Sequence, residues 1–207
     1  FAVNGVKIDK PDHLIQDLNT EAAPFIDLNR VRTEMIQIAS NLAGYVKTGV
    51  EYTGASSSVE YSVLKITNPA GVGVVHYTAS ELSSKLGHFV QIDGFRTGTN
   101  GTVVINVDCS GASVINMPKA LVCVDGEVQG TSEVVEFSNG KVIWNFLNAE
   151  GVTINTQQMT GMIVAPGATV NIQQNLNGTV VADIVNVNAE SHRTDFTGKV
   201  TEPEGDA

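Results

Sequence analysis

The segment 140–188 decides the fold, and it reads GKVIWNF (140–146), VTINTQ (152–157), GMIVAPGATVNI (161–172) and GTVVADIVNV (178–187). Its last two pieces align at a spacing of 17, and the matched pairs are Gly161 with Gly178, Ala165 with Ala182, and Asn171 with Asn188. Two further pairs recur at a spacing of 16, namely Thr153 with Thr169 and Asn155 with Asn171. A repeat of this kind in a β-rich segment predicts a parallel β-solenoid, in which each turn stacks on the last.

Side chains of a strand alternate between its two faces, so the second strand of each turn has an inward and an outward set. The inward set is apolar and comprises Val152, Ile154, Ala168, Val170, Val185 and Val187. The outward set is a ladder of small polar side chains: Thr153, Asn155, Thr169, Asn171, Asn186 and Asn188. These six are the predicted ligand-binding residues, because a rigid ladder presents many hydrogen bonds in fixed register at low ordering cost. The alternative is that the ladder only solvates the coil.

The first strand of each turn is apolar on both faces, which requires a cover on its outer side. A helix predicted over 27–43 supplies that cover, with Asp27 as its N-cap and Gly44 at its end. Its apolar stripe recurs at spacings of 3 and 4 and comprises Leu28, Val31, Met35, Ile38 and Leu42. We expect this stripe to pack on the outer side of the first strands, and the expected contacts are Leu28, Met35 and Leu42 with Met162 and Val181.

These patterns predict a mostly β fold, a right-handed parallel β-solenoid (β-helix) with one long α-helix packed along one face. A single domain is expected over 1–201, and the acidic residues 202–207 are typical of the start of a linker. Residues 50–130 contain further strand patterns and a short capped helical segment at 80–86. They are either additional turns or a cap over an open end of the coil.

The composition of the chain limits the classes of partner that it is expected to bind. The 207 residues carry a formal net charge of −10, with 12 Lys and Arg against 22 Asp and Glu. Nucleic acids and anionic membranes need a basic footprint, so neither is an expected partner. No apolar run approaches the roughly 18 residues of a membrane span, so no membrane insertion is expected within this chain.

Two cysteines and four histidines are the candidates for redox or metal chemistry. Cys109 and Cys123 suggest a disulfide in a chain with an extracellular composition, and the alternative is a pair of small buried apolar residues. The histidines are scattered, and no zinc pattern, other metal site or cofactor is predicted. Glu190 and His192 lie on one side of a strand, where a hydrogen bond between them is favoured over a metal site.

Several β-solenoids are polysaccharide lyases or hydrolases, which need clustered carboxylates for acid–base chemistry. The predicted outward ladder contains Thr and Asn and no carboxylate, so we expect no enzyme activity. The alternative is a cleft formed where four acidic residues converge from turns: Asp108, Asp125, Glu127 and Asp183.

Four landmarks in the C-terminal third resemble the choice-of-anchor A domain family. They are W-N-F-L-N-A at 144–149, A-P-G-A at 165–168, N-G-T-V-V-A at 177–182, and E-S-H at 190–192, in that family's order. The resemblance implies an extracellular, cell-surface or cell-wall protein, attached through a region outside this chain. It also implies an adhesin-like role and the layout of ice-binding-type adhesin domains, a solenoid with a long helix alongside.

The sequence therefore predicts a non-enzymatic surface adhesin domain that binds a host, matrix or glycan ligand, with an extracellular matrix protein or a glycan as the partner. Three alternatives stay open: a structural stalk or spacer, an ice-binding-type domain, and a glycan-active β-helix enzyme. Neither the ligand nor the oligomeric state follows from the sequence.

Overall fold

The computed structural model describes residues 27–87, 89–112, 114–129, 141–155, 158–198 and 200, together with the backbone of 2–3 and 6–7. The helical elements are α1 (Leu28–Gly44) and α2 (Ala79–Glu81), and α2 continues into a π-helical turn (Leu82–Leu86). The strands before residue 100 are β1 (Ala2–Val3), β2 (Val6–Lys7), β3 (Val50–Thr53), β4 (Ser62–Ile66), β5 (Val72–Thr78) and β6 (Phe89–Phe95). The next five are β7 (Thr102–Asp108), β8 (Val114–Asn116), β9 (Lys119–Val124), β10 (Glu127–Val128) and β11 (Val142–Leu147). The last six are β12 (Gly151–Ile154), β13 (Met159–Thr160), β14 (Met162–Ile172), β15 (Leu176–Gly178), β16 (Val180–Val187) and β17 (Ser191–Arg193).

The largest sheet is parallel throughout its described pairs. Its order is β5-β7-β11-β14-β12-β8, and β16 pairs with the free side of the long strand β14. A second sheet has the order β10-β9-β6-β4-β3, and a third, parallel sheet has the order β13-β15-β17. The chain returns repeatedly to the same sheets, so most pairs join strands from different passes of the chain. A core cluster lies among these strands and includes Trp144, which is fully buried.

The predicted fold class is corrected by these sheets. The chain is mostly β, but the structure does not show a right-handed β-solenoid with one long helix along one face. The second sheet is mixed, because β3 and β10 join it as antiparallel strands, and β1 with β2 forms a separate antiparallel pair. Asp125 and Gly126 both have positive φ and connect β9 to β10, the conformation of a tight hairpin that reverses the chain. Helical residues are divided between α1 and the segment 79–86.

The 17-residue spacing is confirmed only in the first half of the repeat. There Ile163 pairs with Val180 and Ala165 with Ala182. The register then shifts between Ala165 and Thr169, so that Asn171 pairs with Asn186, at a spacing of 15. The predicted match of Asn171 with Asn188 is therefore wrong by two residues, because β14 contains extra residues at this irregularity.

The two repeated glycines allow the passes of the chain to approach closely. Gly161 has φ of +114°, a conformation that side-chain-bearing residues rarely adopt. A Cβ atom on Gly178 would overlap the carbonyl oxygen of Gly161. Close stacking of the backbone therefore explains why glycine recurs at both positions.

Helix α1 is present where the sequence predicted a helix, and Asp27 caps it by accepting a hydrogen bond from the backbone N–H of Arg30 at 3.0 Å. The prediction that its stripe is buried holds at Leu42, which is buried with Val164 in a second apolar cluster, and in part at Met35, which is half-buried. Leu28 is 73% exposed, so that part of the prediction is wrong. Ala39, and not Ile38, is the buried residue one turn before Leu42.

A row of three polar side chains holds the end of α1 on the sheet. His76, Asn106 and Asn145 lie in register on β5, β7 and β11. Their ring or amide nitrogens hydrogen-bond the carbonyl oxygens of Tyr45, Leu42 and Ala39 at 2.8 Å each. Three helical residues rise about 4.5 Å, close to the roughly 4.8 Å between strands, so each strand meets a carbonyl three positions along. The helix therefore runs across the strands, with its first residue toward β16 and its last toward β5.

The sequence left open whether residues 50–130 add strands to the parallel stack or cover an end of it, and the structure contains both. Strands β5 and β7 extend the largest sheet, so part of the region belongs to the parallel stack. The segment 79–86 instead adds Leu82 and Leu86 to the core as fully buried side chains. The linker predicted at 202–207 lies outside the described residues.

Candidate binding face

One polar side chain from each of four neighbouring parallel strands forms a row on the outer face of the largest sheet. The members of this row, called the polar row below, are Asn116 on β8, Thr153 on β12, Asn171 on β14 and Asn186 on β16. They lie in direct register. Because neighbouring strands are roughly 4.8 Å apart, the row is about 14 Å long.

The structure places all six predicted binding residues in this part of the sheet, but not all in one row. Three of them, Thr153, Asn171 and Asn186, belong to the polar row. Thr169 lies in the adjacent row, where it pairs with Gly151 and Ile184. The remaining two, Asn155 and Asn188, come directly after the last residues of β12 and β16 and are exposed.

Asn116 belongs to the polar row but was not among the predicted residues. It lies on the three-residue strand β8, which is too short for alternation to be recognised. The sequence V-I-N at 114–116 resembles T-I-N at 153–155, but that match would align Asn116 with Asn155, whereas the structure pairs it with Thr153.

Amide side chains within this face hydrogen-bond one another. Asn186 donates from Nδ2 to Oδ1 of Asn171 at 2.9 Å, and Asn155 donates from Nδ2 to Oδ1 of Asn116 at 3.4 Å. Each amide has two donor hydrogens and two acceptor lone pairs, so one internal bond leaves most of its capacity available. The polar row itself contains no charged residue. Such a face is suited to neutral hydrogen-bonding groups, such as sugar hydroxyls and peptide amides.

Two exposed aliphatic side chains flank the polar row. Val114 on β8 is 56% exposed and Ile184 on β16 is 52% exposed, and both lie in the row that contains Thr169. The face therefore combines hydrogen-bonding amides with apolar side chains at the two ends of the adjacent row, a combination common in interfaces.

The predicted disulfide is corrected, because Cys109 and Cys123 are buried free thiols. The Cys109 thiol donates to the carbonyl oxygen of Val107 at 3.6 Å, and the Cys123 thiol donates to Oε1 of Gln91 at 3.8 Å. Burial, with a smaller contribution from nearby carboxylates, raises the pKa of each thiol to about 11. The alternative of two small buried residues describes them correctly, and neither is activated as a nucleophile.

Three of the four carboxylates considered for a catalytic cleft have separate local partners. Asp108 accepts hydrogen bonds from Ser110 and Asn148, and the Ser110 bonds are the main cause of its lowered pKa. Asp125 accepts from Thr97, which is the main cause of its lowered pKa. Asp183 forms an ion pair with Arg32 of α1 at 3.2 Å.

The histidine near the C-terminal end anchors a strand. His192 on β17 pairs with Asn177 on β15, and its Nδ1 lies 2.9 Å from Oδ1 of Asn177. Its Nε2 lies 3.6 Å from a carboxylate oxygen of Glu190, which is too long for the hydrogen bond that the sequence favoured, so the bond that anchors the strand is the one to Asn177. Within the described ranges, no group of three or more His, Cys, Asp or Glu residues is arranged to hold a metal ion.

In the described part of the chain, helices occur at 28–44 and 79–86. None of these helices has both the length and the apolar character that crossing a bilayer requires. Helix α1, with 17 residues, carries several charged side chains on its outer face.

The chain is similar to a family of adhesive domains over most of its length. The family model named "Putative Ice-binding-like adhesive domain" matches residues 2–193. No curated protein and no solved structure matches the chain. The match agrees with the adhesin-like resemblance of the C-terminal landmarks and covers nearly the whole chain.

Proposed function

The chain belongs to the ice-binding-like adhesive domain family, and from this premise we propose that it binds its ligand through the face that carries the polar row. The observation that supports this most directly is the register of four polar side chains on four parallel strands. Strands joined by backbone hydrogen bonds hold such groups at fixed spacing, so little ordering entropy is lost on binding. The family indicates a surface or extracellular protein with an adhesive role.

The proposed ligand class is a neutral polar polymer, either a glycan or an extended segment of a matrix protein. Both repeat hydrogen-bonding groups along their length, which matches a row of amides and a hydroxyl. A single such hydrogen bond contributes only about 1 kcal/mol net, so specificity would depend on several bonds made together. Val114 and Ile184 would add apolar contact at the corners of the face.

The test is binding of the whole chain to arrays of glycans and matrix proteins, with two charge variants. Asn171→Asp and Asn186→Asp remove the amide donors and add charge to the polar row, so we expect each to weaken binding by about tenfold or more. The matched control is Asn100→Asp, which makes the same chemical change at an exposed asparagine in the turn after β6. If Asn171→Asp and Asn186→Asp bind as tightly as the unmodified chain and the control does too, the proposal is wrong.

Non-enzymatic action is part of the same proposal. It is supported by Asp108, Asp125 and Asp183, each of which is engaged by different neighbours. Incubation with acidic polysaccharides should therefore produce no new chain ends. Appearance of new ends would favour the alternative of a glycan-active enzyme.

Attachment and the finer family assignment complete the proposal. We place the domain at a cell surface or cell wall, attached through a region outside this chain, as the choice-of-anchor A landmarks imply. An ice-binding role is less well supported, since the polar row contains three asparagines and one threonine and has unequal sequence spacings. A spacer role would be indicated by arrays that show no ligand at all.

A further inference from the structure

Among the described residues, strand β16 is an edge strand whose inward side chains Val185 and Val187 are exposed. It pairs with β14 on one side, and within the described residues no strand pairs with its other side. An edge of this kind presents unpaired backbone N–H and C=O groups, which form a template for another strand.

Two columns of inward side chains show how the core is left open at this edge. In the first column Val152 and Val170 are 0% exposed, while Val185 is 42% exposed. In the second column Ile154 and Ile172 are 0% and 1% exposed, while Val187 is 56% exposed. Each column is therefore buried up to β14 and then exposed on β16.

The edge has few of the features that keep edge strands from pairing. Charged or proline residues on the strand are the usual protection, and β16 carries one charged residue, Asp183. That carboxylate forms an ion pair with Arg32 at 3.2 Å. The stretch from Ile184 to Val187 is therefore uncharged and backbone-accessible.

An apolar groove also lies beside β16, where the strand meets α1. It encloses about 340 Å³ between the first turns of α1 and the strands β14 and β16. Leu28 and Val31 line one wall and Val181 lines the other, and both helix residues are exposed. The groove lies on the outer face of β16 and the open columns on its inner face, so exposed apolar side chains border this edge on both faces.

We propose that β16 pairs antiparallel with β16 of a second copy of this chain, about a two-fold axis at Asn186. A two-fold pair places each strand opposite itself, so no second binding surface is needed. With Asn186 on the axis, Val185 of each copy lies opposite Val187 of the other, and both open columns are closed by apolar residues. Asp183 then lies outside the centre, beside its own Arg32, and no unpaired charge is buried.

This pairing goes beyond the proposed ligand binding, because it is a contact between copies at the edge and not on the face. It joins the two polar rows end to end across the axis, since Asn186 is the last member of each row. The joined sheets would present two faces to one polymer, which raises apparent affinity through effective concentration.

Sedimentation velocity over a concentration series tests the pairing on the whole chain. We expect a reversible monomer–dimer equilibrium that Val187→Lys weakens at least about tenfold, because an ammonium group replaces an aliphatic one in a desolvated centre. Val114→Lys is the matched control, since Val114 is also 56% exposed on the same sheet but lies on β8. A monomer at every concentration, or equal weakening by both variants, would overturn the proposal.

A cysteine placed on the axis gives a second test that depends on geometry. Facing residues of antiparallel strands have Cα atoms about 4.5–5.5 Å apart, which suits a disulfide. Asn186→Cys should therefore cross-link into dimers under mild oxidation, while Asn116→Cys at the other end of the polar row should not. The native thiols are buried and remain unreactive background. Equal cross-linking of both variants would contradict the two-fold register.

Discussion

Strands β8 and β16 are the two edge strands of the half-sheet β8-β12-β14-β16, and their inward side chains differ in exposure. The inward residue of β8, Ile115, is 5% exposed, whereas the inward residue Val187 of β16 is 56% exposed. At the β8 end, Leu82 and Leu86 join the core cluster that contains Ile115, and the turn that carries them borders the same cavity as Asn116. The strand repeat itself therefore does not close the core, because closure depends on a separate capping segment.

The capping segment is specified by a short local sequence. Thr78 and Glu81 form a capping box, in which Glu81 N–H donates to Thr78 Oγ1 at 3.2 Å and Thr78 N–H donates to Glu81 Oε2 at 3.0 Å. Lys85 donates to the other Glu81 oxygen at 2.8 Å. These bonds begin a helical turn immediately after β5 and direct Leu82 and Leu86 inward. No described segment does the same at β16.

The largest expected effect is the difference in stability between the two ends. Leu82→Ala should lower the free energy of unfolding by about 2–5 kcal/mol, because it leaves a cavity under the cap. Val187→Ala, at the exposed edge, should change it by less than about 0.5 kcal/mol. Urea denaturation of both variants at low protein concentration measures the difference. Similar losses for the two would mean that the β16 end is also closed.

A second, smaller effect concerns helix α1, which runs across the largest sheet from β16 toward β5. Asn145→Ala removes the amide that serves both the carbonyl of Ala39 and Oδ1 of Asn106, and it leaves those buried acceptors without this donor. We expect a loss of about 1–3 kcal/mol, measured by the same denaturation. The exposed control Asn100→Ala should stay within about 0.5 kcal/mol. If Asn145→Ala were equally mild, the row His76, Asn106 and Asn145 would not be what fixes α1.

The smallest effect is a pH dependence located at the cap. Hydrogen bonds from Lys85 and from Thr78 lower the pKa of Glu81 from 4.5 to about 2. A carboxyl whose folded pKa is lowered stabilises the fold above the unfolded value, and this contribution is lost as pH falls from about 4.5 toward 2. Acid titration of stability should therefore have a shallower slope in that window for Glu81→Gln. A slope for Glu81→Gln equal to that of the unmodified chain would argue against the role of Glu81.

The sequence predicted most of the elements but fewer of their relations. The helix over 27–43 and the helical segment at 80–86 were recognisable because caps and apolar spacing are local signals. The roles of His76, Asn106 and Asn145 were not recognisable, since a polar residue inside a strand pattern does not reveal that a helix carbonyl lies above it. The capping role of 79–86 also depends on a contact with a distant strand.

The binding face was predicted in composition but not in register. Alternation identified Thr153, Asn171 and Asn186 as outward residues, and the structure agrees. A spacing of 17 carried Asn171 to Asn188, while the irregularity after Ala165 carries it to Asn186. An irregularity of this type changes the count of residues between strands without any distinctive sequence signal. The antiparallel strands β3 and β10 were missed for a related reason, because pairing direction is set by turns and not by alternation.

Hydrogen exchange at two protein concentrations tests the central claim, that one end of the sheet is capped within the chain and the other is completed by a second copy. We expect amides in 180–187 to become more protected as concentration rises, while amides in 114–117 exchange at the same rate throughout. Protection of 180–187 that is already complete in dilute solution, and unchanged on concentration, would contradict it.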